Sequence, residues 1–97
     1  MARHFVITAL SDTEFNIQES EVTPANGKHF SLEELQAMVG GYIEFVRVIS
    51  DPNLTLVCNE EGILMGLPFN PIASRKTGHN IFGNVVIIAK GDLEGDE

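Results

Sequence analysis

Residues 30–49, FSLEELQAMVGGYIEFVRVI, constrain the fold of this chain most strongly, because a helix and its two ends can be predicted there from local chemistry. Ser31 and Glu34 have the spacing of a capping box, which satisfies backbone donors at a helix N-terminus. Gly40 suits the left-handed residue that often ends a helix. These signals predict a helix over residues 32–39. The apolar residues at helical spacing within it are Leu32, Leu35, Met38 and Val39.

Short segments rich in β-branched and aromatic residues predict the strands of one sheet. They lie at residues 3–10, 42–49, 54–59 and 81–89. The last segment is the most apolar and is predicted to lie centrally in the sheet, and the turn residues between the middle two predict a hairpin. We therefore predict an α+β fold, with an antiparallel or mixed sheet of four to six strands and one short helix packed on a face.

The segments between these elements carry weaker signals. Residues 11–28 predict a long connection with a short edge strand at residues 15–17. Residues 63–65 predict a short returning strand. The two prolines of residues 67–74 predict an irregular crossing, because proline cannot donate to a sheet ladder. The polar residues 74–80 predict a loop.

The length and the distribution of charge predict one domain with a charged end. A chain of 97 residues is long enough for one hydrophobic core and too short for two. Residues 92–97 contain four acidic residues, a composition typical of a flexible tail. The prediction is a single domain over residues 1–91 followed by an acidic tail over residues 92–97.

The composition also excludes several classes of partner and compartment. Six Lys and Arg against 14 Asp and Glu give a net charge of −8, which opposes direct, sequence-independent binding to the phosphates of a nucleic acid. No run of residues approaches the roughly 18 apolar residues of a membrane span. The single cysteine, Cys58, excludes an internal disulfide and fits a reducing environment. These features predict a cytoplasmic protein with no membrane partner.

Cations, hydroxyls and a glycine gather in residues 70–80, NPIASRKTGHN. These residue types bind oxyanions through charge, O–H groups and backbone N–H groups. The segment is not a Walker loop, because the fixed glycines are missing and a predicted strand follows where a helix is required. A solvated loop and an anion site both fit the pattern. The site residues would be Asn70, Ser74, Arg75, Lys76, Thr77, Gly78 and His79.

Arg47 is a further candidate ligand for an anion. It lies in a predicted strand beside Phe45 and Ile49, so it faces the core if those two side chains do. A buried arginine must be paired. Arg47 would therefore form an ion pair with Glu44 or Glu60, or point into a pocket as an anion ligand.

No catalytic constellation is visible in the sequence. The three histidines are too scattered for metal-ligand spacing. Cys58 lacks a marked partner and is predicted to be a small core residue, and Glu60 and Glu61 are predicted to lie exposed in a turn. We expect no catalytic residues, no metal and no cofactor, and therefore a protein that is not an enzyme.

Three sequence blocks resemble a family of small domains of unknown function carried mainly by bacteriophages and plasmids. The blocks are VGGYIEFV at residues 39–46, NEEGILMGLPFNPIA at residues 59–73 and GNVVIIAKG at residues 83–91. The resemblance implies an accessory phage protein in an infected host cell, with no catalytic residues to transfer. What it implies is genomic context rather than a reaction.

For such a protein we expect binding that antagonises host antiviral defence. The first expectation is sequestration of a small anionic ligand such as a cyclic nucleotide, with Arg47 and residues 74–79 holding phosphate and Tyr42 or Phe69 stacking on a base. The alternative is an acidic inhibitor or DNA mimic that blocks a host protein. A homo-oligomer, most simply a C2 dimer, is also expected, because the strands carry more apolar residues than one sheet face and one helix can cover.

Overall fold

The computed structural model describes residues 2–11 and 13–93 of the chain. Within them the strands are β1 (Ala2–Ala9), β2 (Phe15–Val22), β3 (Ile43–Arg47), β4 (Leu54–Asn59) and β5 (Val85–Ala89). The helices are α1 (Leu32–Val39), α2 (Pro71–Thr77) and a one-turn 3-10 helix (Lys90–Asp92). The strands form one antiparallel sheet in the order β2-β1-β5-β4-β3. The predicted α+β fold, the β3–β4 hairpin and the central position of the last strand are confirmed.

The two α-helices cover opposite faces of the sheet. Neighbouring residues of a strand point to opposite faces, so β4 and β5 contribute to two separate cores. On the α1 side, Val57 and Val86 pack with Leu35 of the helix. On the α2 side, Leu56 packs with Ala73. The second helix was not predicted from the sequence, and it adds a third layer to the expected two.

Helix α1 forms as its capping residues predict. The Ser31 hydroxyl accepts a hydrogen bond from the Glu34 N–H at 3.1 Å, and the Glu34 carboxylate accepts one from the Ser31 N–H at 2.8 Å. Gly40 ends the helix in the left-handed conformation, with φ 82°. The placement of Leu32 in the buried stripe is wrong, since its side chain is 55% exposed. Leu32 lies in the first turn of α1. Because helical side chains lean toward the helix N-terminus, its side chain extends past the part of the helix that the sheet covers.

The edge strand β2 is longer than predicted. It spans Phe15–Val22 rather than residues 15–17, because every residue pairs with β1, from Ala9↔Phe15 to Ala2↔Val22. Most of its side chains are exposed, so its polar composition costs little at this position. Ladder hydrogen bonds to β1 therefore decide its structure.

The structure also corrects the predictions for residues 60–80. The returning strand at residues 63–65 is absent, because this segment makes local turn bonds such as Met65 N–H to the Glu61 carbonyl at 2.9 Å. The irregular crossing and polar loop are partly replaced by α2, with Pro71 in its first turn. Proline is tolerated there because the first N–H groups of a helix have no partner within the helix.

The end of the 3-10 helix and the residue after it pack against the rest of the fold. The Phe30 N–H donates to the Asp92 carbonyl at 2.9 Å, and Leu93 packs in the α1 core. These residues begin the predicted tail, and residues 94–97 lie outside the described part. Within residues 2–11 and 13–93, the helices are too short and too polar for any of them to cross a membrane.

Candidate functional site

Asn70, predicted as a ligand-binding residue, is engaged inside the fold. Its side chain is fully buried, at 0% exposure. The carboxamide oxygen accepts a hydrogen bond from the Ala73 N–H at 3.0 Å, and the carboxamide nitrogen donates to the Gly83 carbonyl at 2.9 Å. Asn70 therefore caps α2 and ties it to the segment that leads into β5.

Three other residues of the predicted phosphate cradle are engaged in the same way. The Ser74 hydroxyl accepts from the Ile81 N–H at 2.8 Å, and the Thr77 hydroxyl donates to the Ala73 carbonyl at 2.9 Å. The Gly78 N–H, which was expected to face a phosphate, donates to the Ser74 carbonyl at 2.8 Å. The hydroxyls and the N–H group that would have formed the cradle instead stabilise and terminate a helix.

The remaining predicted residues are exposed but dispersed. Arg75 and Lys76 lie in the last turn of α2, where cations interact favourably with the helix dipole. Phe69 contacts Phe82 edge to face, with ring centroids 5.5 Å apart. Tyr42 is exposed beside the turn that follows β4. None of these four predicted residues lines the cavities along β3, which include Arg47 and His79.

Arg47 is exposed, so the condition under which it would face the core is not met. Phe45, on the same face of β3, is also exposed, at 53%, and so is Ile49 beyond the end of the strand, at 66%. The neighbouring Val46 and Val48 face the α2-side core instead. Because β3 is an edge strand, α1 covers its Ile43 end and leaves the Arg47 end open. Arg47 makes no ion pair with any described residue, and the predicted pairs with Glu44 and Glu60 are therefore absent.

A cavity of about 360 Å³ lies beside Arg47 on the α1 face of the sheet. Its lining residues, which we call the basic groove, are Phe45, Val46, Arg47, Thr55, Lys90 and Leu93. Strand pairing explains their proximity, because Arg47 lies opposite Thr55 and the Lys90 N–H donates to the Asn53 carbonyl at 3.0 Å. The groove thus brings together two cations and an exposed aromatic ring without a carboxylate among its lining residues.

Of the two neighbouring cavities, one is acidic, and the other mixes a carboxylate with a guanidinium and an imidazole. A cavity of about 350 Å³ is lined by Glu44, Glu60 and Glu61, with Cys58 also in its wall. Another, of about 430 Å³, is lined by Glu44 together with Arg47 and His79. Carboxylates repel anionic ligands, so the basic groove is the better candidate for binding one.

Cys58 is a core residue rather than a nucleophile, as the sequence predicted. Burial raises the pKa of its thiol to about 11, and the Glu44 carboxylate acts in the same direction. The thiol is therefore protonated at neutral pH, whereas the thiolate is the reactive form. Across the described residues, no three side chains of His, Cys, Asp or Glu are close enough to hold a metal ion.

Comparison with known families assigns the chain to a family whose function is not known. A protein-family model described as Domain of unknown function (DUF3846) matches residues 5–97. The chain belongs to this family. No curated protein and no solved structure matched the chain. The match confirms the resemblance to a family of domains of unknown function and spans both helices and the basic groove.

Sequence reasoning found Arg47 and missed the other side of the groove. Lys90 and Leu93 lie far from Arg47 in sequence, and only the pairing of β3 with β4 and of β4 with β5 brings them near. The one available signal was the β3–β4 hairpin register, which places Thr55 opposite Arg47. The position of β5 beside this hairpin has no local signature.

Proposed function

We propose that this protein binds a small phosphate-bearing ligand of nucleotide type in the basic groove and sequesters it unchanged. The observation that carries the proposal is the pairing of Arg47 and Lys90 at one cavity whose lining contains no carboxylate. Neither cation forms an ion pair with another described residue, although the chain as a whole has a net charge of −8. Cations of this kind attract phosphate, and the planar guanidinium can bind two of its oxygens at once.

The size and lining of the groove suit such a ligand. Its volume of about 360 Å³ falls within the range of about 300–1,000 Å³ that is typical of small-molecule sites. The exposed ring of Phe45 offers a flat apolar surface on which a base can stack. We therefore assign phosphate to Arg47 and Lys90 and the base to Phe45.

The kinds of side chain in the groove support sequestration over conversion. Its lining residues include no histidine, carboxylate or thiol, so no general base lies beside the Thr55 hydroxyl or the Lys90 amine to activate either as a nucleophile. A ligand bound there would be released intact. In an accessory phage protein, the context that the family resemblance implies, this binding would remove a nucleotide signal from host antiviral defence.

Charge reversal in the groove tests this proposal. Arg47→Glu and Lys90→Glu are compared with Arg75→Glu and Lys76→Glu, matched exposed cations on α2. Isothermal titration with a panel of cyclic and linear nucleotides at low salt is expected to show binding that each groove variant weakens at least about tenfold, or about 1.4 kcal/mol. The α2 variants are expected to bind like the wild type.

The state of the recovered ligand separates sequestration from catalysis. After heat denaturation, intact nucleotide is expected in the supernatant, and a converted product would contradict sequestration. Affinity is expected to fall as salt screens the charges. If no nucleotide binds, or if only the α2 variants lose binding, the groove is not the site.

A protein-binding inhibitor is the second candidate function, and one observation favours it. The turn after β4 exposes Ile63, Leu64 and Met65, with Leu64 at 85% exposure, next to the exposed carboxylates of Glu60 and Glu61. An apolar tip beside carboxylates fits an apolar pocket with a basic rim. Leu64→Asp would abolish capture of such a partner without changing nucleotide binding in the groove.

A further inference from the structure

The outer edge of β3 presents backbone groups that lack partners. The Glu60 N–H donates to the Tyr42 carbonyl at 2.9 Å, in register with the β3–β4 ladder. Hydrogen-bonded and non-hydrogen-bonded pairs alternate along an antiparallel ladder. The N–H and C=O groups of Ile43, Phe45 and Arg47 therefore point away from β4, and among the described residues they make no hydrogen bond. We call these six groups the β3 edge.

We propose that two copies of this chain pair through the β3 edge, antiparallel about a two-fold axis at Phe45. Phe45 of one copy then lies opposite Phe45 of the other, and Ile43 lies opposite Arg47 at both ends. All six groups of each edge are satisfied, and the two five-stranded sheets join into one. Strand addition at an exposed edge is a common mode of association, because main-chain hydrogen bonds provide the contact.

The surroundings of β3 favour this register. At one end the Ile49 N–H donates to the Lys76 carbonyl at 2.9 Å, so the end of α2 closes the edge there. A two-fold axis at Phe45 places residue 49 of one copy opposite residue 41 of the other. That residue is Gly41, which has no side chain to collide with this corner.

The side chains also match their symmetry mates. On the α1 face, the half-exposed ring of Phe45 meets its own copy, and Arg47 lies diagonal to that ring, within reach of a cation–π contact. On the other face, Glu44 lies opposite Val46 of the second copy. No like charges are placed directly opposite, so the surface is self-complementary.

The other edge of the sheet is less suited to pairing. Strand β2 carries Glu19 and Glu21 and no cation, and an excess of charge is a common device against edge-to-edge association. In β3 the charges of Glu44 and Arg47 cancel. A single five-residue strand buries less than the roughly 1,600 Å² of a standard interface, so we expect a weak dimer.

Phe45 and Arg47 also line the basic groove, so the pairing is tested by sedimentation of the nucleotide-free protein. The wild type is expected to shift from monomer to dimer mass between about 5 and 500 µM, a range set around the weak affinity expected for a small interface. Phe45→Lys places two like charges at the axis and is expected to remain monomeric, whereas Phe15→Lys, a matched change on β2, is expected to dimerise. A monomeric wild type throughout, or a dimer that survives Phe45→Lys, would overturn the proposal.

Disulfide trapping tests the register. Residues opposite each other in a hydrogen-bonded pair have Cα atoms about 5.5 Å apart, within the range of about 4.4–6.8 Å that a disulfide spans. Phe45→Cys is therefore expected to form a covalent dimer on oxidation. Ile43→Cys is not, because its copy lies four residues along the strand, about 13 Å away. Equal yields from both variants, or none from Phe45→Cys, would exclude this register. The wild type, whose Cys58 is buried, is the control.

Discussion

Replacing Asn70 by alanine is expected to destabilise the fold through two losses at one buried site. The first is the cap on the Ala73 N–H, worth about 1 kcal/mol. The second is the donor to the Gly83 carbonyl, a buried acceptor whose desolvation then costs about 1–3 kcal/mol. The sum is about 2–4 kcal/mol, and even its lower limit corresponds to a fall of about 8–16 °C in Tm for a domain of this size.

Equilibrium urea denaturation followed by circular dichroism measures this loss. Asn70→Ser keeps a capping oxygen without the donor to Gly83, so it is expected to recover about 1 kcal/mol relative to alanine. Asn16→Ala, at an exposed position of β2, is the control and is expected to change stability by less than about 0.5 kcal/mol. If Asn70→Ala unfolds at the wild-type urea midpoint and loses nucleotide binding, Asn70 is a ligand-binding residue and the capping role is wrong.

Three further perturbations test the core, the capping box and the thiol. Leu35→Asp buries a carboxylate in the α1 core and is expected to lower the free energy of unfolding in urea by about 3–5 kcal/mol. Leu32→Asp, at an exposed position, is expected to change it very little. Equal losses from the two variants would show that the packing of α1 is wrong. The backbone N–H of Ser31, with a second backbone N–H, lowers the pKa of Glu34, so its stabilisation is present above the unfolded-state pKa and is lost as pH falls through the folded-state pKa. Glu34→Gln should remove this part of the pH dependence of the urea midpoint, and an unchanged profile would contradict it. Because burial raises the pKa of Cys58 to about 11, a thiol reagent at neutral pH should label it only on unfolding, and rapid labelling of the folded protein would refute its burial.

The elements that could be predicted are those whose signals lie within a few residues of one another. The capping box of Ser31 and Glu34 and the left-handed Gly40 define α1 with the bounds that the structure has. The turn between β3 and β4 defines a hairpin because its two strands are neighbours in the chain. The apolar character of β5 predicts a strand buried on both faces, which its position between β1 and β4 confirms.

The candidate site could be predicted only in part. Residues 70–79 have the composition of an anion-binding loop, and this composition cannot distinguish such a loop from a short polar helix. A helix of seven residues is too short for a clear apolar period, and the hydroxyls of Ser74 and Thr77 serve equally well as partners for backbone groups. Arg47 was identified as a candidate, but its exposure depends on which part of β3 α1 covers.

The sequence by itself determined the α1 capping and the β3–β4 hairpin, because each depends on local propensity and on residues that are neighbours in the chain. Only the tertiary structure determined the full length of the polar strand β2, because its residues are held in the sheet by pairing with β1. It also decided the basic groove and the β3 edge. Two successive strand pairings bring Lys90 to the same cavity as Arg47. The β3 edge has no neighbouring strand because β3 is the last strand of the sheet. Contacts between residues distant in sequence arise from backbone pairing, whose hydrogen bonds carry no signature in the side chains.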